Sequence, residues 1–206
     1  AMPTEPHIAW PENGEKGRVV VAMSGGVDSS VALALLAARG YDVVGVMAHF
    51  WAESAPGPEA AANKCCSPAS EEVARQVCAR VGAPFYTVDM EEAFHSLVVK
   101  PFITEYLRGR TPNPCIACNR DVKFGPLLDY ARAQGADFIA TGHYARVEKV
   151  GDEYRLLKVR DAQKDQSYML YTLTQKRLAR ALFPLGALTK GRTREIARNL
   201  GLAAAE

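Results

Sequence analysis

The residues able to do chemistry concentrate at two places, a glycine turn near residue 25 and a cysteine pair ending at residue 118. The first reads Ala22-Met23-Ser24-Gly25-Gly26-Val27-Asp28-Ser29. A Ser-Gly-Gly turn leaves backbone N–H groups unshielded by side chains. Placed between a strand and a helix, those donors join the positive helix N-terminus and make a seat for phosphate. A Walker-type loop would close with Gly-Lys-Ser/Thr, but no lysine follows here and the charged residue is Asp28. An acid beside a phosphate seat suits a Mg²⁺ ion that bridges carboxylate and phosphates. The plainer alternative is a glycine turn in which Asp28 merely caps a helix. Strand, loop and helix all fall where the phosphate motif needs them, which favours the first reading.

The second place is Thr111-Pro112-Asn113-Pro114-Cys115-Ile116-Ala117-Cys118-Asn119, where the prolines hold the chain extended. Cys118 is expected to sit just ahead of a helix over 119–133, whose N-terminal field would favour thiolate and activate the sulfur as nucleophile or metal ligand. The spacing lets Cys115 and Cys118 meet one metal, but a structural zinc site takes four ligands and the adjacent Cys65-Cys66 are poor partners in one chelate. Cys65-Cys66 read equally as reactive or buried. Cys78 falls on an amphipathic helix and reads as a small buried apolar residue.

The elements that must position these groups alternate strand and helix. Strands are predicted over 19–23, 42–49, 85–88 and 138–141, with helices over 31–38, 68–81, 91–107 and 119–133. Pro101 is expected to interrupt the third helix, and Pro126 falls inside the fourth. Residues 1–17 read as a loose tail and 52–63 as a flexible loop. Such alternation predicts an α/β fold with a doubly wound parallel sheet covered on both faces. Ligands then bind at the carboxyl ends of the strands, where Ser24, His49 and His143 fall. Beyond residue 144 a hairpin (145–150 and 154–159 around Gly151-Asp152) and helices over 164–173 and 189–200 form a smaller appendage. The organisation is thus a tail (1–17), a nucleotide-binding unit (18–143) and a hairpin-and-helix region (144–206).

Composition sets outer bounds. With 206 residues, 48% hydrophobic and 23% charged, the chain can bury one α/β core. No apolar run approaches the ~20 residues of a membrane span, and the N-terminus lacks a signal-peptide pattern. Five cysteines, an odd count, argue against a disulfide framework and for the reducing cytoplasm. The net charge of +2 excludes little, because a nucleic-acid enzyme needs only a local basic face. Lys176, Arg177, Arg180, Lys190, Arg192, Arg194 and Arg198 make the distal third basic, either a solvated face or a phosphate-contacting one. Nothing in the pattern specifies an oligomeric state.

The glycine loop resembles that of the ATP pyrophosphatases, which cleave ATP between its α and β phosphates. Further segments narrow the resemblance: Cys65-Cys66-Ser67, Arg110 to Asn119, Lys123-Phe124, Ala140-Thr141-Gly142-His143-Tyr144-Ala145 and Lys164-Asp165-Gln166-Ser167-Tyr168 occur in one order. From about residue 18 onward the chain is similar to the bacterial tRNA-specific 2-thiouridylase family. The resemblance implies a Rossmann-like fold of the adenine nucleotide α-hydrolase kind, ATP and Mg²⁺ as cofactors, and tRNA as partner. It also implies a sulfur-donor protein, either a cysteine desulfurase or a sulfur carrier. The implied reaction adenylates the uracil O2 of a wobble uridine, and a sulfur nucleophile then attacks C2 and displaces AMP.

Residue by residue, the resemblance places ATP on Ala22 to Ser29, Met47 and Gly142. The nucleophile would be Cys118, and the target base would meet Asn113, Pro114 and Cys115. It places tRNA on His143 and on Lys164, Asp165 and Gln166; without it, Lys164-Asp165 would read as a surface ion pair. Many members carry Asp where this chain has Cys115, and a second soft ligand raises the prospect of a [4Fe–4S] cluster on Cys115 and Cys118. The family's persulfide-carrying cysteine would follow, yet no cysteine lies after Cys118, so the expectation is a piece that binds ATP without completing thiolation. Two other readings compete. One is an amidating or ligating synthetase on the same loop, which has no need of the cysteine pair. The other is a nonenzymatic nucleotide- or metal-binding module.

Overall fold

The computed structural model describes residues 16–50, 67–159, 161–202 and 204. The expected tail, but for Lys16 and Gly17, the loop 52–63 and Cys65-Cys66 lie outside them. The core is a parallel sheet of five strands, β1 (Arg18–Met23), β2 (Asp42–His49), β3 (Phe85–Asp89), β4 (Phe138–Ala140) and β7 (Ala181–Leu182), in the order β3-β2-β1-β4-β7. The chain winds outward from β1 through β2 to β3, then returns to add β4 on the opposite side of β1. That reversal is a topological switch point, where a crevice opens beyond the carboxyl ends of the two diverging strands.

Strand alternation sends side chains to two apolar layers. Val19, Val21 and Met23 face the layer holding α1 (Val27–Ala38), α2 (Pro68–Val81) and α8 (Lys190–Asn199). Val20, Val46 and Ile139 face the layer built around Val98, Val122, Phe124 and Leu127. Helix α1 is buried around most of its girth, as expected of a helix packed against β1, α2 and α8 at once. The start of α2 is set by Ser67, whose hydroxyl accepts from the Ser70 N–H at 3.2 Å, and by Pro68 in the first turn; Gly82, at φ 73°, ends it.

Prolines explain where helices break. Between α3 (Glu91–Phe94) and α4 (Lys100–Leu107), residues His95–Val99 form a π-helical turn just ahead of Pro101, which has no N–H to give the preceding turn. The fourth helix is divided differently from its expected run. A short α5 (Pro114–Cys118) begins five residues early, because Asn113 caps it and Pro114 suits the first helical position. It passes into a π-helical turn (Asn119–Lys123), and α6 (Pro126–Ala133) starts afresh at Pro126.

The distal region differs more. The hairpin forms as β5 (Arg146–Val150) and β6 (Glu153–Leu157), with Gly151 at φ 61°. No helix forms over 164–173, where a single 3₁₀ turn spans Ser167–Met169. Asp165 is the cause. Its carboxylate accepts from the Ser167 hydroxyl at 2.8 Å, the Ser167 N–H at 3.4 Å and the Val159 N–H at 3.3 Å, which competes with helical bonding. A short α7 (Gln175–Leu178) then leads to β7, which joins the main sheet beside β4, and α8 packs on α1.

Leu33 on α1 is fully buried, whereas Leu107 at the end of α4 is 81% exposed. Leu33→Ala is expected to lower the unfolding free energy by about 2–5 kcal/mol. Leu107→Ala should stay within about 0.5 kcal/mol of the parent. Urea denaturation of both variants checks the assignment of the core.

Candidate functional site

The glycine turn is held open by serines. Ser29 Oγ accepts from the Ser24 N–H at 3.2 Å and donates to the Gly26 carbonyl at 3.1 Å, while Ser30 Oγ reaches the same carbonyl at 2.9 Å. Gly25 has φ +69°, and a Cβ there would strike the Ser70 backbone at the start of α2. Gly26 caps α1 with no side-chain cap bond. Asp28 is therefore not the helix cap that the plainer reading made it.

A cleft of about 220 Å³ opens where the switch-point topology requires it. One wall carries Ala22, Met23, Ser24, Asp28 and Ser29; the facing wall carries Thr141, Gly142 and His143 from beyond β4. Ala48 and Phe50 close the β2 end, and Lys123, Leu127 and Gln166 complete the lining. Gly142 crosses α1 so closely that a Cβ would stand 2.7 Å from the Ser29 nitrogen and 2.8 Å from the Asp28 carbonyl carbon.

The charges in this cleft are unevenly matched. Lys190 Nζ binds both Asp28 oxygens, at 2.6 and 2.7 Å, although 162 residues separate them. Tyr144 adds its phenol to Asp28 Oδ1 at 3.0 Å, and burial holds that phenol well above its ordinary pKa, so it stays a donor. Its oxygen also lies 2.9 Å from the Thr193 hydroxyl. His143 is partly buried, its Nδ1 2.7 Å from Thr141 Oγ1; desolvation by the surrounding protein first, then the Lys123 charge, pull its pKa down to about 3, so the ring is neutral. Lys123 makes no ion pair among the described residues.

The structure gathers some sequence-predicted residues and separates others. Ala22, Met23, Ser24, Asp28, Ser29, Gly142, His143 and Gln166 share the cleft. Gln166 is fixed by a two-way pair with the Tyr144 backbone, its side chain accepting from the Tyr144 N–H and its own N–H donating to the Tyr144 carbonyl, each at 2.9 Å. Met47 is fully buried in the α1 layer, and strand alternation carries its neighbour Ala48 to the cleft instead. His49 pairs with Glu71 at 3.4 Å, away from the lining. Lys164 is exposed and forms no ion pair with Asp165 among the described residues. The basic distal residues do not form one uniform face: Lys190 turns inward, Arg180 donates to the Asp137 carbonyl and Arg192 pairs with Glu195.

At the cysteine loop, Asn113 Oδ1 accepts from the Cys115 N–H at 3.0 Å and the Ile116 N–H at 3.4 Å. The helix therefore starts at Pro114, with the exposed Cys115 in its first turn, while Cys118 lies at the end of α5, partly buried and packed on the second apolar layer. Cys118 is not among the cleft-lining residues; the π-helical turn that follows it ends at Lys123, which is. Cys78 is fully buried, and burial pushes its thiol up to about 12, as an inert core residue requires. Among the described residues no three of His, Cys, Asp and Glu come together to hold a metal ion. Among the described residues Cys115 and Cys118 find no further ligand of the kind an iron–sulfur cluster needs, and those residues do not fit one. Asp28 does fit Mg²⁺: it is an acceptor-only anion facing the phosphate seat, and its present partner is itself a cation. No helix among the described residues is long and apolar enough to cross a membrane.

The sequence names Lys190 only within the basic distal run, and Tyr144 and Lys123 only within quoted segments, and gives none of them a place in the cleft. Lys123 lies in a recognised segment but carries no local signal of its role, and Lys190 reaches Asp28 only because β7 and α8 join the main sheet and its helices.

Fold and cleft together define a class: a doubly wound α/β protein with a glycine loop of the phosphate-seating kind at its switch point. Residues 17–206 match the model of the tRNA methyl transferase HUP domain, and the chain belongs to that family. It is 52% identical over 193 residues to tRNA-specific 2-thiouridylase MnmA of Geobacter metallireducens, covering 92% of this chain and 52% of that protein. It is 50% identical over 188 residues to the protein of the same name from Clostridium botulinum, covering 91% of this chain and 52% of that one. The chain spans about half the length of these curated relatives. Among solved structures it is similar to NMN synthetase from Francisella tularensis (TM-score 0.55, 18% identity, 94% of this chain and 66% of that one). It is also similar to a 4-thiouridine synthetase in an RNA complex with bound ATP (TM-score 0.51, 18% identity, 92% of this chain and 42% of that one). At such identities the likeness shows the fold alone.

Because the folded His143 pKa lies near 3, below its ordinary 6.5, the unfolded chain takes up a proton that the folded chain refuses. The stability this group contributes is complete above pH 6.5 and is lost as pH falls toward the folded value, on the order of 1 kcal/mol per pH unit. Urea unfolding of the parent across this range should show that loss, and His143→Gln should flatten the slope.

Proposed function

We propose that the chain handles ATP and tRNA in a cytoplasmic 2-thiolation of wobble uridine, the activity its MnmA relatives are named for. One observation carries the reading. The π-helical turn that starts after Cys118 delivers Lys123 to the same cleft whose opposite wall is the phosphate-type loop.

In this reading the triphosphate lies on the N–H groups of the turn Gly25 to Val27, with the adenine toward Ala48 and Phe50. The uracil O2 attacks the α-phosphorus and pyrophosphate leaves. A urea-type carbonyl oxygen is a poor leaving group, and adenylation converts it into a good one. The loop donors and the first turn of α1 stabilise the charge that collects on pyrophosphate. Mg²⁺ held by Asp28 would neutralise phosphate charge when bound. Neutral His143 offers hydrogen bonds without adding charge, and Lys123 supplies a cation beside the reacting phosphate. Cys118 is the nucleophile of the sulfur-transfer stage; sulfur reaches the tRNA from a donor protein, a cysteine desulfurase or a sulfur carrier, as persulfide sulfur. The Cys118 thiolate attacks the inner sulfur of that persulfide, forming a disulfide and releasing hydrosulfide, which attacks C2 as AMP leaves with the former O2. Asn113 to Cys115 meet the target base, and His143 with Lys164 to Gln166 meet the surrounding tRNA.

A ligating synthetase would keep the loop and the cleft but would not use the cysteine pair. Cys118→Ser is therefore expected to leave ATP binding within about twofold, since Cys118 does not line the cleft. Made at the equivalent cysteine of a full-length MnmA relative, the same substitution should abolish 2-thiouridine formation, read by mass spectrometry of tRNA nucleosides. Undiminished thiolation would refute the role of Cys118. Gly142→Ala must push the post-β4 segment off the start of α1, and ATP affinity is expected to fall by at least about tenfold in calorimetric titration.

A further inference from the structure

Asp28 faces the phosphate seat with neither oxygen idle. Lys190 Nζ holds Oδ1 at 2.6 Å and Oδ2 at 2.7 Å, and Tyr144 adds its phenol to Oδ1 at 3.0 Å. A carboxylate only accepts, so the phenol proton belongs to Asp28. The Thr193 hydroxyl then serves either the Tyr144 oxygen at 2.9 Å or the Thr189 carbonyl at 3.1 Å. While Lys190 holds both oxygens, its positive charge competes with any other cation for Asp28.

Lys190 is built to let go. Its backbone is pinned at the start of α8, which Thr189 caps, and its N–H lies 3.4 Å from Asp161 Oδ2. The ammonium, by contrast, sits at the end of a flexible four-carbon stem. Docking of α8 does not need this charge, because Ile196 and Ala197 already bury that helix in the α1 layer. The side chains are 21% and 34% exposed, and ion pairs with that much water access add little to stability. The glycine loop meanwhile brings no cation of its own to a ligand as highly charged as a triphosphate.

We propose that Lys190 is the cation missing from the loop: when a nucleoside triphosphate occupies the seat, its ammonium moves from Asp28 to the phosphate oxygens, and the released carboxylate becomes available to Mg²⁺. This rests on the nucleotide reading above and assigns the triphosphate a contact from the far end of the chain. Lys190 and Mg²⁺ then compete for Asp28 in the nucleotide-free protein and cooperate once ATP is bound. The exchange puts the divalent ion on the carboxylate in place of the ammonium, and the ammonium on the phosphate.

Calorimetric titration of the 206-residue chain with ATP, at limiting and at saturating Mg²⁺, tests the assignment. Lys190→Met is expected to weaken ATP binding by about tenfold or more, the worth of a charge-assisted phosphate contact. It should also lower the Mg²⁺ concentration that half-saturates the nucleotide-free protein, because Asp28 has lost its competitor. Lys190→Arg should restore most of the ATP affinity. Ile196→Ala loosens α8 without touching Asp28; it should lower the unfolding midpoint yet bind ATP as the parent does. The proposal is overturned if Lys190→Met binds ATP as tightly as the parent at both Mg²⁺ levels, or loses no more affinity than Ile196→Ala. Failure of the parent to bind ATP at all would overturn the nucleotide reading as well.

Discussion

The cleft depends on one close crossing, where the chain leaving β4 passes over the first turn of α1. At Gly142 the backbone comes so near Asp28 and Ser29 that no side chain fits between them. That crossing turns Thr141 and His143 toward Ser24 and Asp28, and it brings the Tyr144 phenol onto the Asp28 carboxylate. It is a consequence of β4 pairing beside β1, with Val19 to Val21 matched to Phe138 to Ala140. Because β4 is so short, its position also relies on Asp137, whose carboxylate accepts from the Arg18 N–H at 3.0 Å and whose carbonyl accepts from Arg180 at 3.1 Å.

Electrostatics then give the cleft its preference. The ring of His143 is kept neutral, Lys123 has no acidic partner among the described residues, and Asp28 is masked by Lys190. The net lean is toward anions, and it is reached without a lysine in the loop itself. A chain with only a slight positive excess can thus concentrate positive potential at one crevice, which is the place where a phosphate-bearing ligand would enter.

What was legible in the sequence, and what was not, follows the range of the forces involved. Four strands of the main sheet and helix α2 declare themselves through apolar runs, caps and terminal glycines, all local signals. The glycine turn was legible for the same reason, as was the burial of Cys78. β7 was not, because two residues, Ala181 and Leu182, cannot show a period and are strand only through pairing with β4. The helix expected over 164–173 yielded to Asp165, whose short side chain satisfies nearby donors better than a helix would. Met47 shows how a single step of register moves a contact from a cleft to a core, and Cys118 shows how an early cap shifts a residue from the start of a helix to its end. The Asp28–Lys190 pair lay beyond any local reading, because tertiary packing alone brings its two halves together.

The most direct test is a crystal structure of this chain with Mg²⁺ and an ATP analogue that resists cleavage between the α and β phosphates. The account predicts the triphosphate on the backbone N–H groups from Gly25 to Val27, between Asp28 and His143, with the adenine beside Ala48 and Phe50. A nucleotide bound elsewhere, with the β1–β4 crevice empty, would contradict it.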